Sequence, residues 1–224
     1  MNKFSFKYYK KMLKKAISCG FTISSFENFD KKKKKTIILR HDIDYSLKGI
    51  LEFAKIENDL GVTSTYFFRV HSSKYNPFSQ DCYYILNYLK NLNHEIGLHF
   101  DSSYFSKIFK LDPISVFNKE KIILETIIDK KIKSVSEHYD IYCNIFNIQK
   151  LDSQINIKKL KIQNYAYDKK FVIDMKYISD SNGNWREGDI LENLNFKRLQ
   201  VLTHPELWFD KVQFIDYLTH QKDD

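Results

Sequence analysis

With 224 residues, 43% of them hydrophobic and 16% aromatic, the chain is long enough for one sizeable core and too apolar for a disordered segment. Only six glycines and three prolines argue against long linkers or a low-complexity tail. A net charge of +8 admits a nucleic-acid or membrane partner, but lysines are spread along the whole chain, and the dense run Lys31 to Lys35 reads as a solvated loop.

Cys19, Cys82 and Cys143 are odd in number and lack CxxC spacing, so neither a disulfide framework nor a zinc–thiolate site is expected. The first twenty residues are amphipathic and charged, without the apolar centre of a signal peptide. No run approaches the ~18 apolar residues of a membrane span, so the expected location is cytoplasmic. No Gly-rich phosphate loop, acyl-enzyme serine motif or dinucleotide fingerprint is present.

In chain order, Phe4 to Cys19 has helical periodicity and stops at Gly20. FTISSFENF suggests a short strand and turn, and Thr36 to Leu39 a strand running into RHDID. Ser46 reads as the N-cap of a helix with its apolar stripe at 47, 50, 51, 54 and 56, ending near Gly61. Thr63 to Phe68 reads as a strand, Cys82 to Leu92 as a helix, and HEIGLHFD as a strand ending in His99. A helix over Asn118 to Lys130 and a strand over Ile132 to Ser136 follow, reaching His138. Asp140 to Tyr167 yields no firm elements. Strands over Phe171 to Ile178 and Leu199 to Leu202 come next, then THPELW and a helix from Phe209 to Thr219. Short strands alternating with helices predict an α/β fold with a parallel sheet.

His41, His71, His99, His138 and His204 each fall at or just beyond the C-terminal end of a different predicted strand, and Asp42, Asp44 and Asp180 occupy equivalent places. Strand C-termini converge on one face of a β/α barrel or open α/β sheet, where active sites lie. The DxD spacing puts Asp42 and Asp44 on one side of an extended chain. Two carboxylates so close call for a cation or a shared proton. A metal with one carboxylate and imidazole ligands fits, leaving the other carboxylate as a base.

RHDID, TSTYFFR, HEIGLH and THPELW, in this order and spacing, resemble the NodB-type polysaccharide deacetylases (carbohydrate esterase family 4), in a divergent branch associated with surface-polysaccharide biosynthesis. The resemblance spans about Thr36 to Trp208. It implies one domain over 1–224, a distorted (β/α) barrel, with 1–35 an N-terminal helix and connecting extension. It also implies a metal-dependent hydrolase that removes an N-acyl group, such as acetyl, from an amino sugar, with a divalent metal ion such as zinc. By position, Asp42 becomes the general base, Asp44 a metal ligand, His99 the first metal histidine and His204 the general acid. Arg40 and His41 stand where the usual pattern has Thr and Phe.

The family's second metal histidine comes four residues after the first, where this chain has Ser103. His138 is the candidate replacement, ahead of Asp101 and His71. Arg40, His41, Arg69 and His71 are expected to support the site or line its cleft. In YISDSNGNWREGD, Asp180 is expected to support and Trp185 to contact substrate, with Arg186 beside them. The expected partner is an amino sugar or another small amide, not a nucleic acid. Two other readings stand beside the deacetylase: hydrolysis of a different amide on the same scaffold, and a silent sugar-binding protein without the full metal triad.

Overall fold

Strand β2, Thr36–Ile43, is buried along its whole length and organises the rest of the molecule. In the computed structural model, residues 3–139 and 141–209 are described. The other strands are β1 (Thr22–Ser24), β3 (Thr65–Phe68), β4 (Glu95–Phe100), β5 (Ser134–Glu137), β6 (Asn164–Tyr165), β7 (Lys176–Ser179) and β8 (Arg198–Thr203). They pair in the order β6-β5-β4-β3-β2-β8-β7, all parallel. One edge of β2 passes from β1, at Thr36 to Ile38, to β3 from Arg40 onward, while β8 holds the opposite edge. No pairing joins β6 to β7 among the described residues, so the barrel is open between its end strands. This is the distorted (β/α) barrel that the motifs imply.

Period-two alternation divides the side chains into two cores. Ile37, Leu39, Ile43, Tyr66, Phe68, Leu98, Val135 and Val201 face outward into the large core shared with the helices. Ile38 and Phe67 face inward and meet Phe26, Ala166, Phe171 and Met175 in a small plug. Gly97 on β4 makes room for that plug, since a Cβ there would lie 2.4 Å from the Phe67 ring. The glycine of HEIG is thus a packing requirement.

The helices supply the outer layer. Helix α1 (Phe6–Ser18), capped by the Ser5 hydroxyl, buries Tyr9, Met12, Leu13 and Ala16. Next come α2 (Ile50–Asp59), α3 (Gln80–Asn91), α4 (Ser102–Phe109) and α5 (Pro113–Ile128). Ser46 does not cap α2, because its hydroxyl accepts the Lys48 N–H in a turn. Gly49 occupies the cap position at φ +77, where a Cβ would lie 2.4 Å from the Pro205 carbonyl oxygen. Helix α5 starts five residues before the predicted Asn118, with Asp112 as N-cap and Pro113 in the first turn. The unread stretch holds α6 (Ile141–Ile145), α7 (Leu151–Gln154) and β6. Phe171 belongs to a helical turn, α8 (Lys169–Val172), so β7 starts at Lys176 instead. The predicted final helix lies outside the described residues after Phe209.

Candidate functional site

Arg40, Asp42 and Asp44 follow one another along the inner face of β2 and its extension. Arg40 is completely buried. Its Nε donates to Asp42 Oδ1 at 3.1 Å and its Nη2 to Oδ2 at 2.6 Å, a two-pronged pair. Nη1 also reaches Gln200 Oε1 at 3.1 Å, and Nη2 reaches Ser136 Oγ at 2.9 Å and Tyr167 Oη at 3.2 Å. The guanidinium therefore ties β2 to β5, β8 and the segment after β6, and its fork is committed to Asp42. Burial pushes the Asp42 carboxyl up, but Arg40 and then His99 outweigh it and hold the group below the usual carboxylate range.

Asp44 stands at the centre of three imidazoles. His99 Nε2 lies 3.1 Å from Asp44 Oδ1 and 3.4 Å from Asp42 Oδ2. His204 Nε2 lies 3.6 Å from Asp44 Oδ2. The His138 ring sits 5.3 Å from the His99 ring, nearly perpendicular to it. Burial pushes the Asp44 carboxyl up, but His99, His138 and His204 hold it well below its ordinary range.

Each imidazole is held by Nδ1. That of His99 meets the Ser136 carbonyl at 3.1 Å, that of His138 meets Asp101 Oδ1 at 2.8 Å, and that of His204 meets Asp180 Oδ1 at 2.6 Å. Every ring is oriented from behind, with Nε2 left for a ligand, as histidines at metal sites are. Asp101 is itself gripped by Arg69, Nε to Oδ2 at 3.1 Å and Nη2 to Oδ1 at 3.0 Å. Asp101 and Arg69 therefore position His138.

The donor chemistry around Asp44 suits a divalent ion. Asp44 Oδ1 is buried and makes no hydrogen bond, although His99 Nε2 is only 3.1 Å away. Tetrahedral ligand atoms at ~2.0–2.1 Å from a zinc stand about 3.3 Å apart, so these two atoms are spaced like co-ligands. Among the described residues, however, no three His, Cys, Asp or Glu side chains close into a coordination shell. Ser103, at the family's second-histidine position, turns its hydroxyl to Glu137.

His204 follows β8 and is built differently. Its backbone N–H and Nδ1 both meet Asp180, whose other oxygen accepts the Trp208 indole N–H at 2.7 Å. Burial lowers the imidazole's pKa, but the Asp180 carboxylate more than reverses this and raises it to about 9. His204 is thus an imidazolium at neutral pH.

Several predicted support residues lie elsewhere. His41 points outward, being odd in the alternation. Its Nε2 meets Glu57 Oε1 at 2.8 Å and its Nδ1 meets Thr203 Oγ1 at 2.6 Å, with no exposure, so it cannot touch substrate. His71 stacks on Phe105 with Nε2 3.6 Å from Glu120, at the margin. Trp185 is 8% exposed and packs against Trp208, which leaves little face for a sugar. Arg186 is exposed and makes no described contact with the centre.

Several buried carboxylates lie outside the predicted set, Glu57, Glu120 and Glu137 among them. Glu57 accepts from Tyr9, Ser64 and Tyr66 as well as meeting His41. Glu120 accepts the Asp101 N–H and the Ser102 hydroxyl. Glu137 takes Ser103, Leu151 N–H and Tyr165. The signal was available for the first two. Glu57 extends the Ile50, Phe53, Ala54 stripe, and Glu120 falls among Val116, Phe117 and Leu124. A carboxylate on an apolar helical stripe predicts a buried acid with partners.

No family model and no curated protein matches the chain. Solved structures do. Peptidoglycan deacetylase PdaC from Bacillus subtilis superposes with TM-score 0.51 at 14% identity, over 79% of this chain and 77% of that one. The polysaccharide deacetylase Bc1974 from Bacillus cereus matches at TM-score 0.49 and 14% identity, over 76% and 79%. A CE4-family pseudoenzyme from Bacillus anthracis matches at TM-score 0.48 and 9% identity, over 79% and 56%. With its parallel open barrel and its RHDID and HEIGLH strands, the chain has the fold of the NodB-type polysaccharide deacetylases.

Proposed function

We propose that this protein is a metal-dependent hydrolase that removes an N-acyl group, acetyl in the simplest case, from an amino sugar. The observation that carries the reading is the placement of Asp42, forked by Arg40 at 2.6 and 3.1 Å, and His204, held through Nδ1 by Asp180 at 2.6 Å, on either side of Asp44. Arg40 keeps Asp42 ionised on one side, and Asp180 keeps His204 protonated on the other. Amide hydrolysis needs this division, because a base must take a proton from water and an acid must give one to the amine.

Asp44, His99 and His138 would hold the ion, which when bound supplies a Lewis acid and lowers the pKa of water from 15.7 towards ~7. That help is needed because a carboxylate paired with Arg40 is a weak base. Asp42 takes the proton as the water oxygen bonds to the amide carbon. His204 Nε2 then donates its proton to the amide nitrogen. The C–N bond breaks, releasing a carboxylic acid and the free amino sugar. Asp180 keeps the His204 charge in place until that transfer, and Arg40 keeps the Asp42 oxygens fixed.

The test is acetate release from N-acetylated amino sugars, free, nucleotide-linked and lipid-linked, such as surface-polysaccharide assembly would use. Asp42→Asn and His204→Ala should each lower turnover by roughly 10²-fold or more. Full activity in Asp42→Asn would sink the assignment. A second reading, sugar binding without catalysis, is favoured by Ser103 and by the open ligand set. Elemental analysis separates the two. Near-stoichiometric metal, lost in His99→Ala and His138→Ala, supports the hydrolase, and a protein that takes up no added metal supports binding.

A further inference from the structure

The run Lys31 to Lys35 precedes β2, and the structure brings it beside two other segments from the same end of the barrel. Lys176 opens β7, and Lys197 and Arg198 lead into β8. Together they line a groove of about 960 Å³, with Ile173, Met175 and Phe196 as its apolar lining and Asp174 as its one carboxylate. The lysine loop is fixed there. Arg198 Nη2 donates to the Lys31 carbonyl at 2.9 Å, and Thr36 N–H donates to the Lys197 carbonyl at 3.0 Å. Lys31 to Lys34 and Lys197 are exposed.

A second basic face adjoins it. Lys35 Nζ donates to the Cys19 carbonyl at the C-terminal cap of α1. From there Lys15, Lys14, Lys11, Lys10 and Lys7 climb the side of the barrel along that helix, beside Leu191 and Leu194, towards the helix start that packs near Trp208. The groove carries seven lysines and one arginine against one carboxylate, and the helix adds Lys7, Lys11, Lys14 and Lys15 beside a Lys10 that pairs with Asp59 at 3.3 Å, although the whole chain has a net charge of only +8. The positive excess is therefore concentrated here.

We propose that this end of the barrel docks on an anionic lipid surface. Such breadth exceeds what one small anion would occupy. Nucleic acid is disfavoured by the side chains chosen: lysines are point charges without the planar fork of arginine, and among the apolar side chains only Phe196 offers a stacking face, with Lys176 Nζ already over its ring at 5.9 Å. Lysines ringing exposed aliphatic and aromatic side chains suit phosphate headgroups and the hydrocarbon boundary below them. Ile173 is 69% exposed and Phe196 41%, in position to enter that boundary. The Asp44 centre lies at the opposite, C-terminal ends of the strands, so the docked protein presents its mouth away from the membrane. The proposal stands on this surface alone and does not depend on the hydrolase reading.

The experiment is sedimentation of the full chain with vesicles of phosphatidylcholine, with and without phosphatidylglycerol, at low and high salt. Binding to the anionic vesicles should weaken as salt rises. It should fall at least about tenfold when Lys31, Lys32, Lys33 and Lys34 are all changed to Gln. Ile173→Ser with Phe196→Ser should remove the part that survives high salt. All six positions lie outside the proposed catalytic machinery, so turnover on a soluble substrate should not change. No binding to anionic vesicles, or equal binding by the four-lysine variant, would overturn the proposal. So would tighter binding to an oligonucleotide that is indifferent to Ile173 and Phe196.

Discussion

Asp180→Asn isolates the electrostatic work proposed for His204. Asp180 is completely buried and meets His204 Nδ1 at 2.6 Å, the His204 N–H and the Trp208 indole. It is the main reason the imidazole stands at about 9 rather than its ordinary 6.5. That gap corresponds to roughly 3 kcal/mol favouring the imidazolium. Asparagine keeps an acceptor but removes the charge, leaving Asp44 and Asp42 as the anions that still raise it. Because the folded pKa is raised, His204 is charged at neutral pH and loses its proton as pH climbs through that value. In the variant the loss should move down towards 6.5 or below, since burial then dominates. At pH 8 the protonated fraction would fall from roughly 90% to a few per cent, about a thirtyfold drop in rate. The alkaline limb of the pH–rate profile and an NMR titration of the imidazole read the same change, the second without a substrate. A limb or titration that stays near 9 in Asp180→Asn would refute the reasoning.

Other substitutions test the frame around the site. Arg40→Met leaves the buried Asp42 carboxylate with only His99, at 3.4 Å, in place of a two-pronged guanidinium, and should cost up to about 3–5 kcal/mol in a denaturant melt. Adding Asp42→Asn should recover part of that loss, and no recovery would mean that the pair is not the reason. Gly97→Ala pushes a methyl 2.4 Å from the Phe67 ring and 2.9 Å from the Ser134 carbonyl, so about 1–3 kcal/mol of destabilisation is expected. An unchanged melting temperature would show that the plug is slack. Glu120 is raised to about 8 by burial and then by the Asp101 charge. The folded state therefore holds a proton that the unfolded state releases near 4.5, and stability should fall as pH rises between those values. The total is up to roughly 5 kcal/mol. Glu120→Gln should flatten that slope, and an unchanged slope would remove Glu120 as its cause.

The sequence made the strand-end cluster of Asp42, Asp44, His99, His138 and His204 readable because two simple geometries govern it. Parallel strands bring their C-termini together, and alternation puts Asp42 and Asp44 on one face. The same alternation, applied one residue earlier, would have turned His41 away. Its place in the RHD cluster made it look like part of the site. Trp185 misled for a related reason, since a tryptophan after a strand suits a sugar platform equally well until its packing against Trp208 is known. The Asp101–His138 bond was harder to foresee. The two residues lie 37 positions apart, on the loops after neighbouring strands, and only the β4–β5 pairing brings them together. Glycine also carried more than the hydropathy pattern conveyed, because the approach of Pro205 to Gly49 sets where α2 begins and cannot be read from Ser46.

Strand β2 joins these observations. Its even residues face inward and form the charged series Arg40, Asp42 and Asp44. Its odd residue His41 faces outward and bonds Thr203 on β8, its partner in register. One residue after each of these come Asp42 and His204, the proposed base and acid. The bond behind the sheet thus fixes the two strands at the level where the site begins. Glu57 anchors that bond to α2 and, through Tyr9 and Tyr66, to α1 and β3. Burial pushes the Glu57 carboxyl up, but His41 foremost reverses this and lowers it to about 2. The network therefore keeps its anion at any pH near neutral. A charge buried that deeply survives only with its partners in place, which makes the outer network sensitive to the same strand register that the inner face requires. The opposing charges at the end of β2 are one arrangement, the proposed reactive set on one side of the strand and a clamp on the other.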